Sequence, residues 1–280
     1  MKLPPRSACR SSRRGASGLL ALVLWVFATL PQGASAEHRR RSDTGEGSRA
    51  SSARPKRVAK KKKGKGKLTA AYRKQKRRWH ERADRTMTSR WQAQGLPPLV
   101  LRPVGTAESF VLRPRDAQGN FDDSERQRAE AAFACRRSGE THGIHPRLLS
   151  LLYKAMRHFE VPYIHVISGY RAANASDGSR HRAGLAADVV FPGVSDKKLS
   201  TYFRAQGFVG VGIYPNSGFV HVDVRQSSHF WTDRSLPGRP SRTRGEAKAL
   251  AHKMDQLARR RGEQPPELDI ELAAAEESAH

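Results

Sequence analysis

The chain has 280 residues, enough for one sizeable domain with tails or for two small domains. Lys and Arg number 52 against 26 acidic residues, a formal net charge of +26, and only 37% of the residues are hydrophobic. No stretch approaches the ~20 apolar residues of a spanning helix, which excludes a multi-spanning membrane protein. The two cysteines, Cys9 and Cys135, exclude a disulfide-stapled scaffold and a cysteine-rich zinc ribbon.

Residues 1–36 have the pattern of an export signal. A basic start without acids precedes the apolar run 19–30, and Ala34-Ser35-Ala36 follows as the small-x-small sequence that signal peptidase accepts. The apolar run is too short to span a bilayer comfortably. We therefore expect export to the periplasm or cell envelope, by the secretory or the twin-arginine route, with no transmembrane anchor after cleavage. An uncleaved anchor is the alternative.

Residues 37–95 are predicted to be a basic tail, disordered or partly helical. Residues 37–90 hold 21 Lys and Arg against 5 acidic residues, and the Lys-rich run 59–67 has no apolar periodicity. Residues 68–91 are compatible with a helix that carries charge on every face. In an exported protein the available polyanions are envelope polymers, so we expect the tail to bind these and not nucleic acid. A plain solvated linker is the alternative.

A folded domain is predicted over residues 96–236, followed by a C-terminal extension, 237–280. Short apolar runs around Gly105 predict a hairpin, and apolar residues at helical spacing after Pro146 predict a helix. After Pro162 the pattern changes to strands. In chain order, the predicted elements are the hairpin strands 99–101 and 110–112, helices 121–136 and 146–159, strand 164–167, strand 186–191, helix 195–206, strand 218–225 and a helix near 246–261.

Two motifs carry candidate metal ligands. In a continuous helix His181 and Asp188 would lie ~10 Å apart along the axis, too far to share an ion. Gly184 permits a bend before the strand that holds Asp188, so a loop histidine and a strand carboxylate can converge. Alone, such a pair is more often a surface or structural feature.

The second motif lies on strand 218–225. At period two, the valines at 220, 222 and 224 face the core, whereas His221 and Asp223 share the other face. Two histidines and one carboxylate, with water as fourth ligand, satisfy the tetrahedral demand of zinc. Asp223 would stand beside the metal, where a carboxylate can accept the proton of the bound water. A solvated strand face is the alternative interpretation.

Arg171 ends the sequence Ser168-Gly169-Tyr170-Arg171, just after strand 164–167. An arginine at a strand end can hold an anionic substrate oxygen, although a turn with a surface arginine would give the same pattern. The glycines at 207, 210 and 212 do not form a nucleotide loop, because no helix start follows them and no phosphate-binding lysine is present. The co-occurrence of the motifs, in order, favours a catalytic site.

The ordered motifs resemble a known family. They are Ser168-Gly169-Tyr170-Arg171, residues 179–188 (SRHRAGLAAD), residues 210–215 (GVGIYP) and residues 219–223 (FVHVD). Together they resemble the D-Ala-D-Ala-type zinc peptidases of bacterial cell walls, in the lysostaphin/carboxypeptidase/hedgehog-like fold group, and within it the relatives of murein endopeptidase K. The resemblance covers roughly residues 96–231, about half of the chain.

The resemblance implies an α+β fold with flanking helices and a small antiparallel sheet whose face carries the metal. It also implies zinc held by His181, Asp188 and His221, with Arg171 polarising or anchoring the substrate near the scissile bond. Many members place a Glu three residues, or a His two residues, before the last zinc histidine. Here those positions are Gly218 and Phe219, which leaves Asp223 as the candidate base.

The favoured hypothesis is an exported zinc peptidase that hydrolyses amide bonds in peptidoglycan stem peptides or cross-links. One alternative is a non-catalytic cell-wall or polyanion-binding protein that retains the peptidase fold. A third hypothesis is a nucleic-acid or polyanion binder in which the basic tail does the binding and the folded domain is a spacer.

Overall fold

The computed structural model describes residues 67–84, 86, 95–172, 179–245 and 248–268, all of which lie in one compact unit, residues 61–280. The signal peptide predicted at residues 1–36 and the Lys-rich run 59–66 lie outside the described residues. The domain boundaries at 95 and 236 stay predictions.

The described residues form a mixed eight-stranded sheet with the order β2-β1-β3-β4-β6-β5-β7-β8. The β1–β3 and β5–β7 pairs are parallel and the other pairs are antiparallel. The strands are β1 (Leu99–Pro103), β2 (Phe110–Leu112), β3 (Ile164–Ser168), β4 (Ala186–Val190), β5 (Val209–Tyr214), β6 (Phe219–Val224), β7 (His229–Asp233) and β8 (Thr243–Gly245).

The prediction of a small antiparallel sheet was wrong in size and in direction, although the α+β class is confirmed. Three strands, β5, β7 and β8, were not predicted from the sequence. Parallel pairing needs a crossover between the paired strands. Two helices lie in this connection between β1 and β3. Between β5 and β7 the connection contains β6, which runs antiparallel to β5.

The described residues contain five helices, and none of these is long and apolar enough to cross a membrane. Each predicted helix is found, and the one predicted at 121–136 is shorter at both ends, since it spans Asp123–Ala132. Side chains of Asp122 and Ser195 cap two of them by accepting backbone N–H groups. The helices are α1 (Ala70–His80), α2 (Asp123–Ala132), α3 (Pro146–Phe159), α4 (Asp196–Arg204) and α5 (Lys248–Arg260).

The hydrophobic core lies between the sheet and α3 and α4. Val220, Val222 and Val224 of β6 are fully buried in the same cluster as Leu148 and Leu152 of α3. Because side chains alternate along a strand, the intervening residues of β6 point to the opposite face of the sheet. That face carries the candidate site.

The first and last of these helices, α1 and α5, also pack on the sheet. Trp79 of α1 is buried against Val190 of β4. In α5, the Asp255 carboxylate accepts hydrogen bonds from the backbone N–H groups of Phe208 and Ser228 at 2.7 and 2.8 Å. The C-terminal helix is therefore fastened to the strands beside the site.

Candidate metal centre

Three buried donor atoms converge on the sheet face opposite α3 and α4. Nε2 of His181 lies 3.4 Å from Oδ1 of Asp188 and 3.2 Å from Nδ1 of His221, and the last two atoms are 2.9 Å apart. Among the described residues, these three form the group suited to hold a metal ion. The convergence of the predicted ligand residues is thus a feature of the fold.

Strand register and one tight turn bring these residues together. β4 and β6 are antiparallel with Asp188 directly opposite His221, so both side chains leave the same face. His181 precedes β4 in a turn closed at Gly184, whose φ is +68°. A Cβ there would overlap the carbonyl oxygen of Gly143, so the predicted bend requires glycine.

The outer nitrogen of each imidazole is held by a hydrogen-bond acceptor. Nδ1–H of His181 donates to the Gly169 carbonyl at 2.6 Å, and Nε2–H of His221 donates to Oδ2 of Asp223 at 2.8 Å. When each imidazole carries only this proton, its other nitrogen has a lone pair on the side of the Asp188 carboxylate. In that state three acceptor atoms face one another, an arrangement that a metal cation or a proton stabilises.

The spacing of the donors fits zinc. Ligands bound at about 2.0–2.1 Å in a tetrahedral zinc site lie about 3.3 Å from one another. The three observed separations span 2.9–3.4 Å. Two imidazole nitrogens and one carboxylate oxygen are also the donor types that zinc accepts.

Burial and neighbouring groups shift the pKa values of all three residues. Burial lowers the pKa of His181. Burial opposes ionisation of Asp188, but His181 and His221 outweigh it and hold the pKa of that carboxyl far below its ordinary range. Burial also opposes protonation of His221, yet hydrogen bonds to Asp188 and Asp223 raise its pKa.

Arg171 lies at the rim of the cluster. One guanidinium nitrogen is 2.5 Å from Oδ2 of Asp188, and Nε donates to the Ser168 hydroxyl at 3.1 Å. The side chain is 46% exposed. Arg171 therefore steadies the outer oxygen of Asp188 while part of its guanidinium faces the cleft.

Asp223 lies behind His221, away from the donor cluster. Its carboxylate is fully buried and also accepts from Nε of Arg225 at 2.6 Å. Both oxygens are thus engaged. The sequence predicted that Asp223 would stand beside the metal and accept a proton, whereas its carboxylate lies on the far side of His221 from the donor cluster.

The glycines of β5 make room for this arrangement. Gly210 pairs with Asp223 and Gly212 with His221 across the β5–β6 ladder. A Cβ at Gly210 would overlap the Asp223 carboxylate, and one at Gly212 would overlap the indole of Trp231. The Gly-x-Gly motif is therefore explained by close packing beside the site.

The donor cluster opens into a cleft of about 410 Å³. Sequence reasoning gave no role to most of its lining. Tyr214 and Phe219 are stacked with ring centroids 4.6 Å apart, and both lie within motifs already noted, whereas Tyr72 is more than 100 residues away in sequence and carried no signal. The lining is Tyr72, Arg171, His181, Asp188, Tyr214, Ser217, Phe219, His221, Asp233, residues 235–239 and Ser241.

Asp233 shapes one wall of the cleft. Its oxygens accept hydrogen bonds from the backbone N–H groups of Ser235 and Arg242 at 2.7 and 3.1 Å and from the Ser241 hydroxyl at 2.7 Å. A single buried carboxylate thus closes the loop 234–242.

Comparison with known proteins confirms the resemblance seen in the motifs. Residues 93–230 match the family model described as peptidoglycan L,D-endopeptidase MepK. The chain is 26% identical over 145 residues to the peptidoglycan L,D-endopeptidase MepK of Escherichia coli K12, covering 47% of this chain and 79% of that protein. It is 27% identical over 139 residues to the probable MepK of Haemophilus influenzae, covering 45% and 74%. No solved structure matches.

The matched segment contains the whole donor cluster, Arg171 and Asp223. Helices α1 and α5 lie outside it. The chain is therefore similar to the D-Ala-D-Ala-type zinc peptidases, near MepK, over the part that carries the donor cluster.

Proposed function

We propose that the protein is an exported zinc peptidase that hydrolyses amide bonds in the stem peptides or cross-links of peptidoglycan. The observation that carries the proposal is the convergence of three buried acceptor atoms at the base of an open cleft. The relatives are named as peptidoglycan L,D-endopeptidases, which supports peptidoglycan peptides as substrate and an L,D bond as the one cleaved.

Zinc held by His181, Asp188 and His221 would supply Lewis-acid activation of water and of the scissile carbonyl. The protein groups around it have separate tasks. Arg171, at the rim, binds an anionic oxygen of the substrate and holds it near the cluster. Asp223 keeps the Nε2–H of His221 in place, which directs the Nδ1 lone pair inward.

The basic N-terminal segment would keep the enzyme near the anionic envelope. On α1, the side chains of Arg73, Lys74 and Arg77 are exposed and extend the basic run that precedes them. Attraction between such charges and carboxylates or phosphates weakens as salt is added. We therefore expect retention on sacculi to fall with ionic strength, while cleavage of a soluble peptide depends on salt much less.

The direct test is digestion of purified sacculi, with released muropeptides identified by mass spectrometry. We expect the wild-type protein to release peptides cut at one type of amide bond and His181→Ala to release none. His252→Ala, on the exposed face of α5, is the matched control and should behave as wild type. Identical profiles for wild type and His181→Ala would exclude the enzymatic function.

The same digestion tests the alternative hypothesis that the protein binds the cell wall without cleaving it. That alternative is motivated by Gly218 and Phe219, which occupy the positions where many similar peptidases carry a Glu or a His. A wild-type protein that contains zinc and binds sacculi, but releases no muropeptides at any zinc concentration, would support it.

A further inference from the structure

One side of α1 forms hydrogen bonds with the turn between β5 and β6, residues 215–218. Tyr72, Lys76 and His80 are four residues apart in succession and so form one row along the helix. Each donates a hydrogen bond to a backbone carbonyl of that turn. The bonds are Tyr72 Oη to Ser217 O at 3.0 Å, Lys76 Nζ to Pro215 O at 2.6 Å, and His80 Nε2 to Gly218 O at 3.0 Å.

Packing fixes the helix in the same place. Trp79 is 8% exposed and buried with Val104, Ile167 and Val190. Val190 lies two residues from Asp188 on β4, so α1 sits on the face of the sheet that carries the donor cluster. The contact requires glycine at 218, where φ is +76° and a Cβ would overlap the aliphatic chain of Lys76.

The N-terminal end of this seated helix reaches the cleft. Tyr72 lines it together with Phe219 and Ser217, on β6 and the turn that leads to His221. The Tyr72 ring is half-buried and meets Trp79 edge-to-face at 6.0 Å. The hydrogen bond to Ser217 holds the phenol while the side chain lines the cleft.

We infer that α1 is part of the substrate-binding surface and that Tyr72 is a substrate-binding residue, contacting the peptide that lies across the cleft. The inference rests on the proposed function, since it assigns the substrate contact within that cleft. α1 lies outside residues 93–230, the part of the chain that matches the peptidase family. Helix α1 therefore adds a wall to the site, and this wall comes from residues 37–95, which the sequence predicted to be a tail.

Kinetics on the full mature chain test this. For soluble muropeptides released from sacculi by a muramidase, Tyr72→Ala should raise KM about tenfold, the equivalent of losing one buried apolar contact, and change kcat less than about twofold. Tyr72→Phe keeps the ring but loses the hydrogen bond to Ser217, so its KM should lie between those of wild type and Tyr72→Ala. Gln75→Ala, at an exposed and uncharged position of α1, is the matched control. A KM for Tyr72→Ala equal to that of the control would overturn the inference.

Two measurements separate this inference from the proposed function. In the presence of a chelator, binding of the same muropeptides to wild type and to Tyr72→Ala is measured by calorimetry, where we expect about tenfold weaker binding to the variant. Equal affinities, or no binding to either protein, overturn the inference. Absence of cleavage by the zinc-loaded wild type instead overturns the proposed function.

Hydrogen exchange on the full chain checks that the helix is seated. The α1 amides should be protected in wild type and lose protection in Trp79→Ala, which removes the buried anchor. Exchange of residues 73–80 at the rate of an unfolded peptide in wild type would overturn the inference whatever the activity.

Discussion

The Asp223 carboxylate and the His221 imidazole are joined by a 2.8 Å hydrogen bond on the side of the ring that faces away from the donor cluster. In the tautomer with the proton on Nε2, the ring donates to Asp223 and the Nδ1 lone pair faces Asp188. Arg225 holds the carboxylate from its other side at 2.6 Å. In that tautomer, the Arg225–Asp223 pair supports the His221 ring from behind and leaves its Nδ1 available to bind a cation.

If Asp223 is a positioning residue, Asp223→Asn should weaken zinc affinity by about 10–100-fold. Excess zinc should then restore much of the activity, because the ligands themselves are intact. Zinc affinity is measured by competition with a chelating dye, alongside kcat at saturating zinc. Asp123→Asn, an exposed carboxylate on α2, should change neither quantity.

The competing role makes the opposite prediction. If Asp223 accepts a proton from the attacking water, Asp223→Asn should keep its zinc and lose about 10²–10⁴-fold in kcat. Full metal content with a kcat that excess zinc does not restore would thus contradict the positioning role.

The metal site can be tested without an activity assay. Zinc at 100 times its dissociation constant should raise the free energy of unfolding by about 2.7 kcal/mol. In Asp188→Asn one ligand charge is lost, and we expect neither the stabilisation nor retained zinc after dialysis. Thermal unfolding with and without zinc, followed by elemental analysis, measures both. Equal stabilisation of wild type and variant would place the metal elsewhere.

A matched pair of glycine substitutions tests the close packing beside the site. In Gly212→Ala the new methyl group overlaps Trp231, whereas at Gly245 a Cβ would meet nothing within 4 Å. Gly212→Ala should lower the free energy of unfolding by about 1–3 kcal/mol, and Gly245→Ala should stay within about 0.5 kcal/mol of wild type. Urea unfolding measures both values, and similar losses would argue against steric exclusion at residue 212.

The loop carboxylate Asp233 should make stability depend on pH. Burial opposes its ionisation, but hydrogen bonds from Ser235, Ser241 and Arg242 outweigh it and lower its pKa. A carboxyl with a lowered folded-state pKa stabilises above its unfolded pKa of about 3.9 and loses that contribution as the pH falls through the folded value. Asp233→Asn should therefore be less stable by about 1–3 kcal/mol at neutral pH.

The stability difference between wild type and Asp233→Asn should narrow below about pH 4, where the Asp233 carboxyl of the unfolded chain begins to bind its proton. Urea unfolding at neutral pH and near pH 3 gives the difference at each end. A difference that stays constant across this range would show that the charge of Asp233 does not hold the loop.

Local sequence patterns predicted those elements whose side chains interact with near neighbours in the chain. The hairpin around Gly105, helix α3 and the alternating faces of β6 follow from apolar spacing of two or about 3.6 residues, which any folded context preserves. β5 was missed as a strand because its glycines hide the alternation, and their purpose is visible only opposite Asp223 and Trp231. β7 and β8 join the sheet through long-range pairing that local propensity does not encode.

By itself, the sequence determined the chemistry available to this protein: two imidazoles and a carboxylate in a fixed order, a glycine where the chain must bend, and a basic segment at the N-terminus. Tertiary structure decided how that chemistry is used, because the distances between donors depend on strand register and turn closure. Register set Asp188 opposite His221, placed Asp223 behind the ring and not beside the cleft, and seated Tyr72 at its edge.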